Sequence, residues 1–288
     1  MTDVPPLWFR DPAGDGDFRF WNGTEWTDQV LVDGETRLSA LQGSVADPTP
    51  SEHEREIRYQ VQHEAKVLPR STGGETFETA SVLVINHRPS WHVPRADYRI
   101  MDDGGRPLAS AKRLASAGPF LWLRVNSMLD HHLRLRLEIR DTSDALVATL
   151  DRRRFGSAAA VYVTGALGEP IGAVALDKRS RPPTLRILDG DDVVATMAAA
   201  DQTARSITIT GSDGRPLGRV EKTALAMGEG ILTFAQRFVV ERSTEPGTDL
   251  HRLVGVVPLA LDLVLGSIYD FEKHRQLRHD PRLAKLDR

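Results

Sequence analysis

From Leu133 to Arg140 the chain reads LRLRLEIR, with the leucines and Ile139 on one side and Arg134, Arg136, Glu138 and Arg140 on the other. A period of two residues is that of a β-strand with one buried face. Related units recur along the chain. Tyr98–Arg113, Leu137–Arg152, Val161–Lys178, Leu185–Ala198 and Ile207–Lys222 each read as an alternating strand, a turn of Asp, Gly or Ser, often with Pro, and a returning strand with small residues. Their matching apolar positions are Leu108, Leu146, Ile171, Val193 and Leu217. Five hairpins predict at least ten strands, and Phe77–Asn86, Phe120–Val125 and Leu232–Glu241 supply a few more. A long antiparallel series avoids exposed edges best by closing into a barrel.

One later segment does not alternate. Leu253–Ile268 (LVGVVPLALDLVLGSI) is apolar nearly all round, interrupted by Pro258 and Asp262. A helix hydrophobic on every side belongs inside protein or inside a membrane. A bilayer span needs about 20 apolar residues, and a central Asp would cost a few kcal/mol there. A helix at 252–268 threading the barrel is the expectation, with membrane insertion as the competing reading. Asp262 is then expected to be capped by a partner inside the barrel, the other role being a polar group facing a bound lipid.

The N-terminus has a different texture, LWFRDPAGDGDFRFWNGTEWTDQV over residues 7–30. Asn22-Gly23 between aromatic runs predicts a two-residue type I′ hairpin. That turn would pair Trp21 with Thr24 and Arg19 with Trp26, placing Arg19, Trp21 and Trp26 on one face. Leu7–Phe9 makes a first strand before the Asp11-Pro12 turn. Three strands over residues 1–31 would then carry Trp8, Trp21 and Trp26, either as the core of a very small module or as an aromatic platform that docks a protein partner or a lipid headgroup. Periodicity fades over 32–75. Ile57, Val61, Ala65 and Leu68 lie near helical spacing, so a short amphipathic helix is possible within a mostly flexible tether.

Composition narrows the classes of function. The 288 residues hold 37 Lys+Arg and 40 Asp+Glu, a net charge of −3, which argues against a dedicated nucleic-acid binder. Zero cysteines exclude thiol catalysis, disulfide scaffolds and thiolate metal sites. The start, MTDVPPLWFRDP, lacks the basic and apolar regions of a secretory signal, so a cytoplasmic protein is expected, with peripheral membrane association as an option. Charge is uneven: residues 1–56 hold 12 acidic and 4 basic side chains, which leaves residues 57–288 at +5, with a basic tail over 273–288.

No nucleophile–base pair, phosphate-cradling loop or dinucleotide fingerprint is found, so no catalytic residue and no cofactor are assigned. Asp102-Asp103 and Asp189-Gly190-Asp191-Asp192 are paired carboxylates that could hold a hard cation. Both fall where a hairpin turn is needed, which explains them without a metal. His131-His132 are adjacent on a strand or turn and point apart, so no metal site is assigned. Basic residues recur at strand ends: Lys112, Arg113, Arg152, Arg153, Lys178, Arg179 and Lys222. Around a barrel these could converge on one rim and meet anionic phospholipid headgroups.

Two resemblances follow from these residues. Trp8-Phe9, Asp11-Pro12, Arg19, Phe20-Trp21, Asn22-Gly23 and Trp26-Thr27 resemble a small Trp-rich domain of unknown function found in GC-rich bacterial proteins. The hairpin series, with Leu253-Val254-Gly255, Leu261-Asp262 and Tyr269-Asp270-Phe271-Glu272 after it, resembles the phospholipid scramblase-related and LURP-one branch of the tubby C-terminal-like superfamily. That resemblance covers residues 76–272. It implies a mainly-β fold, a twelve-stranded antiparallel β-barrel around a C-terminal apolar helix, and lipid interaction without covalent chemistry. The cysteine-rich stretch of eukaryotic scramblases is missing here, and so is an Asp-rich calcium loop. A non-enzymatic interaction scaffold, docking through the Trp-rich module, is the alternative function.

Overall fold

The computed structural model describes residues 4–43, 45–88, 97–114, 135–152, 159–177, 184–199, 205–223 and 237–279. Four N-terminal strands, β1 (Leu7–Arg10), β2 (Phe18–Trp21), β3 (Trp26–Val32) and β4 (Glu35–Leu38), form an antiparallel sheet in sequence order. Helix α1 (Glu52–Tyr59) follows and runs into a π-helical turn over Gln60–Glu64. Twelve strands then close an antiparallel barrel. They are β5 (Val82–Arg88), β6 (Asp97–Met101), β7 (Pro107–Arg113), β8 (Leu135–Asp141), β9 (Leu146–Arg152), β10 (Ala159–Gly165), β11 (Pro170–Asp177), β12 (Thr184–Asp189), β13 (Asp192–Ala199), β14 (Ser206–Gly211), β15 (Pro216–Thr223) and β16 (Arg237–Arg242). The C-terminal helix α2 spans Asp249–His279.

All five repeated units are hairpins of this barrel, and their second strands share one irregularity. The register slips past Leu108, Val147, Ile171, Val194 and Leu217, each the second residue of the returning strand or its equivalent. The equivalent apolar positions are therefore Val147 and Val194, one residue beyond the expected Leu146 and Val193. An inserted residue bends its strand and increases local twist, which is what closing a sheet requires. Four of the turns also share a left-handed residue at one position, Gly105, Asp144, Gly168 and Gly214. Their hydrogen bonds repeat as well: Gly105 N–H to Asp102 C=O, Asp144 N–H to Asp141 C=O, and the same pairing at Gly168 and Gly214.

Alternation sets the core. Leu135, Leu137 and Ile139 of β8 point inward, with Arg136 exposed between them. They meet α2, whose Leu253, Val254, Val256, Val257, Leu259, Ala260, Leu261, Leu263 and Val264 are all buried. Twelve residues of helix, about 18 Å at 1.5 Å each, thus fill the barrel. Among the described residues no helix is long and apolar enough to cross a membrane. The helix fits because β11 and β15 carry glycines beside it. A Cβ on Gly172 would lie 2.8 Å from Leu253 Cδ1, and one on Gly218 2.9 Å from Val254 Cγ1.

Several sequence expectations are corrected. The expected strand from Phe77 begins at Val82, and Thr76–Ala80 form a turn instead, with the N–H groups of Thr79 and Ala80 donating to Thr76 C=O. The expected strand from Leu232 is described over Arg237–Arg242, and Phe120–Val125 lies outside the described residues. The Asn22-Gly23 hairpin exists with a four-residue loop, so Trp21 pairs with Trp26 and Arg19 with Val30. Asn22 Oδ1 accepts from the N–H groups of Thr24 and Glu25, and these two bonds reward the longer loop. Asp33 and Gly34 instead supply consecutive positive-φ residues (52° and 80°), turning the chain into the fourth strand, β4.

The helix expected near Ile57 forms and is not part of a free tether. Ser51 and Glu54 cap its start reciprocally. Ile57, Val61, Ala65 and Val67 pack on Val82, Val84, Met101 and Val239, on the outside of β5, β6 and β16. Leu68, expected on the same stripe, is exposed. Strand β5 is therefore apolar on both faces, its Leu83 and Ile85 facing the barrel core. The N-terminal sheet rests on this helical segment: Trp8 N–H donates to Gln62 Oε1 (2.7 Å), and Gln62 Nε2 donates to Trp8 C=O (3.1 Å).

Candidate functional site

An up-and-down barrel sorts its connections between two ends. The turns after β6, β8, β10, β12 and β14 lie at one end, where α2 enters. At the other end lie the last residues of β5, β7, β9, β11, β13 and β15, the first residues of the strands between them, and the emerging α2. Chain order alone thus brings the C-terminal ends of β7, β9, β11 and β15, which carry the predicted basic residues, onto one rim.

The side chains divide on closer inspection. Lys112 and Lys222 are exposed, and Arg113 is half-buried. Arg153, Lys178 and Arg179 lie outside the described residues. Arg152 is a correction. It is 1% exposed, because β9 turns it into the barrel, where Nη1 donates to the Leu263 C=O of α2 at 2.6 Å. It ties the helix to the wall and offers no donor to a headgroup.

Basic positions that the strand-end pattern missed join the same rim. Arg99, Arg136, Arg186 and Arg205 are exposed at or beside the starts of β6, β8, β12 and β14. The signal was available, since in an antiparallel barrel the start of one strand adjoins the end of the one before it. The strand carboxylates at this end whose burial is defined, Asp97, Glu138, Asp151 and Glu221, are half-buried, and the exposed Glu56 of α1 pairs with Arg237 at 3.0 Å. Glu138 pairs with Arg140 at 2.9 Å and Glu221 with Arg219 at 3.4 Å. Exposed charge on the strands at this end is thus positive among the described residues. The segments 89–96, 115–134, 153–158, 178–183, 200–204 and 224–236, which join strands here, hold eight Lys or Arg against three Asp or Glu. The hairpin turns of the opposite end are acidic: Asp144, Glu169, Asp189, Asp191, Asp192 and Asp213 are exposed there, against Arg106 and Arg215, while the exposed Arg10 and Arg70 lie beside the β6–β7 turn.

Behind the basic rim, Asp262 is half-buried and accepts a hydrogen bond from Tyr98 Oη. Burial first, then the Asp262 charge, raises the Tyr98 pKa well above its usual value, so the phenol stays a donor. The His87 ring stands edge-on to Tyr98 at 5.1 Å, and burial lowers its pKa. At the other end Arg242, 1% exposed, donates to the C=O groups of Phe77 (2.9 Å), Ala80 and His251 (3.2 Å). Burial brings the Arg242 pKa down to about 9, and burial plus the Arg242 charge brings His251 to about 4. These groups hold α2 near its start, at His251, and near its middle, at Asp262. No arrangement of nucleophile and base is formed by them.

The tryptophans and acidic pairs are placed as follows. Trp21 is 4% exposed and packs with Val4, Leu7, Phe9 and Trp26, while Trp8 packs with Phe18, Leu31 and Phe20. Trp26 is half-buried, its indole edge-on to Trp21 at 5.6 Å. These rings are core, and the aromatic platform is turned inward. Asp102 holds its own turn, accepting from the N–H groups of Gly104 and Arg106, whereas Asp103 accepts from the N–H groups of Arg70 and Ser71 and pins the linker to the barrel. Asp189 and Asp192 flank a turn at Gly190. His131-His132 lie outside the described residues. Among the described residues no group of three His, Asp or Glu is placed to hold a metal ion.

Comparison with known proteins gives two findings. Residues 6–36 match a family described as a protein of unknown function, DUF2510. An X-ray structure of a protein from Arabidopsis thaliana is similar over 66% of this chain and 99% of that one, at 12% identity and a TM-score of 0.36. No curated protein matches the chain.

Proposed function

We propose that this is a non-enzymatic, lipid-interacting barrel protein of phospholipid scramblase-related type, whose basic rim meets the headgroups of an anionic membrane. The observation that carries the reading is the charge separation along the barrel: Arg99, Lys112, Arg136, Arg186, Arg205 and Lys222 exposed at one end, six exposed carboxylates at the other. Each Lys or Arg near an anionic surface contributes about 1 kcal/mol, so a handful give reversible, salt-sensitive binding. The acidic end would be repelled, which orients the barrel with its α2 exit toward the lipid. Lipid movement, in this reading, would use α2 or a groove beside it and would need no covalent step. The test is vesicle binding by a Lys112→Glu, Lys222→Glu variant. Both side chains are exposed, so folding is expected to be kept while binding to anionic vesicles falls at least tenfold. Unchanged binding would remove the rim from the account.

A further inference from the structure

A cleft of about 410 Å³ between the N-terminal sheet and the barrel is lined by Arg10 and Phe18 of the sheet, Glu54 and Arg58 of α1, and Asp102, Asp103 and Arg106 of the β6–β7 turn. Of its three cations, Arg106 is paired with carboxylates, and Arg10 and Arg58 are held by aromatic rings. Arg10 lies over the Phe18 ring with its guanidinium carbon 6.0 Å from the centroid, and Arg58 lies over Phe9 at 5.2 Å. A guanidinium stacked on a ring keeps its in-plane N–H groups for a second partner. The neighbouring arginines have spent theirs on carboxylates: Arg19 on Asp11 and Asp15, Arg70 on Glu241, Arg106 on Asp102 and Glu75. Arg10 and Arg58 form no ion pair within 4.0 Å among the described residues. Arg58 reaches only the Trp8 carbonyl, at 3.4 Å, and its buried Nε has no hydrogen-bond partner.

The three carboxylates that line the cleft are already committed. Glu54 caps α1 through the Ser51 N–H, Asp102 accepts four donors from Gly104, Arg106 and Ser71, and Asp103 accepts the N–H groups of Arg70 and Ser71. Two unspent planar forks suit an anion with several terminal oxygens, since each guanidinium can bind two of them. The volume admits an organic group attached to that anion. We infer that this cleft binds a phosphomonoester, with Arg10 and Arg58 gripping the phosphate oxygens and the aromatic sheet edge holding the guanidiniums in place. The site is independent of the basic rim, since it lies beside the β6–β7 turn at the other end of the barrel.

Calorimetric titration of the full chain with glycerol 3-phosphate and with inorganic phosphate tests it. Saturable binding is expected, weakened about tenfold or more by Arg10→Gln, the value of one lost charged hydrogen bond. Arg58→Lys keeps the charge and removes the fork, and a comparable loss is expected. Arg37→Gln, on β4 away from the cleft, is expected to bind as the unaltered chain does. No heat at millimolar phosphate, or equal affinity in Arg10→Gln and Arg37→Gln, would overturn the inference. Vesicles containing phosphatidic acid separate the sources. If they bind through Arg10 and the soluble esters also bind, the cleft takes lipid-borne phosphate too. Vesicle binding lost in Lys112→Glu, Lys222→Glu but kept in Arg10→Gln belongs to the rim, so the two readings fail separately.

Discussion

Tyr98 donates its phenolic hydrogen to Asp262, the carboxylate in the middle of the apolar run of α2. One hydroxyl on β6 thus reaches the polar residue that interrupts the apolar run of the central helix. Tyr98→Phe keeps the ring and removes the donor, and a poorly solvated carboxylate that loses a donor costs about 1–3 kcal/mol. Urea denaturation is expected to show that loss with an unchanged slope. An unaltered midpoint would mean that Asp262 does not depend on Tyr98.

The close passage of α2 against β15 predicts a steric effect of similar size. A Cβ at residue 218 would meet Glu241 C=O at 2.5 Å and Val254 Cγ1 at 2.9 Å. Backbone on one side and a buried branched side chain on the other leave little room to give. Gly218→Ala is expected to destabilise the barrel by about 1–3 kcal/mol, read as a lowered thermal midpoint. Gly214→Ala is a useful contrast. Nothing lies near a Cβ there, so its cost comes from the left-handed backbone (φ 82°) alone.

His251 makes stability depend on pH in a defined direction. Burial and the Arg242 charge hold its pKa at about 4 in the fold, against an ordinary value of 6.5. Between those values the unfolded chain takes up a proton that the folded chain refuses. Stability from this group is full above pH 6.5 and declines as pH falls toward 4, by roughly 3 kcal/mol in all. Denaturation midpoints measured across that window are expected to fall for the natural chain and to flatten in His251→Gln. Parallel slopes for the two would show that another group titrates.

Gln62 closes the edge of β1 with a two-way amide contact to Trp8. Gln62→Ala leaves both backbone groups to find water, and the N-terminal sheet is expected to loosen while the barrel stays folded. Limited proteolysis should then cut faster within residues 39–51, with the barrel fragment persisting. Cleavage at the natural rate would mean that other contacts suffice to hold the sheet.

Much of this architecture could be read from the residues, and the misses share a cause. Alternation in Leu135–Arg140 and the recurring turns point to hairpins, because a period of two is a local property. Closure rests on bulges at Leu108, Val147, Ile171, Val194 and Leu217, and a bulge leaves little trace in composition. The continuous run Val82-Leu83-Val84-Ile85 is the pattern of a strand buried on both faces, and Ile57, Val61, Ala65 and Val67 supply the outer cover. Asp33-Gly34 is as plain a hairpin signal as Asn22-Gly23, and it makes the tight turn between β3 and β4. At the rim, the sequence pattern puts Lys112 and Lys222 near strand ends, and both are exposed one residue before the ends of β7 and β15. It could not separate Arg152, because the inward or outward sense of a strand's last residue depends on register.

The most direct test of the rim is flotation of the purified chain with neutral and with anionic vesicles, at low and high salt. Binding to anionic vesicles only, weakened by salt and lost in Lys112→Glu, Lys222→Glu, is the expected result. No flotation under any condition, or equal binding to neutral vesicles, would contradict the account.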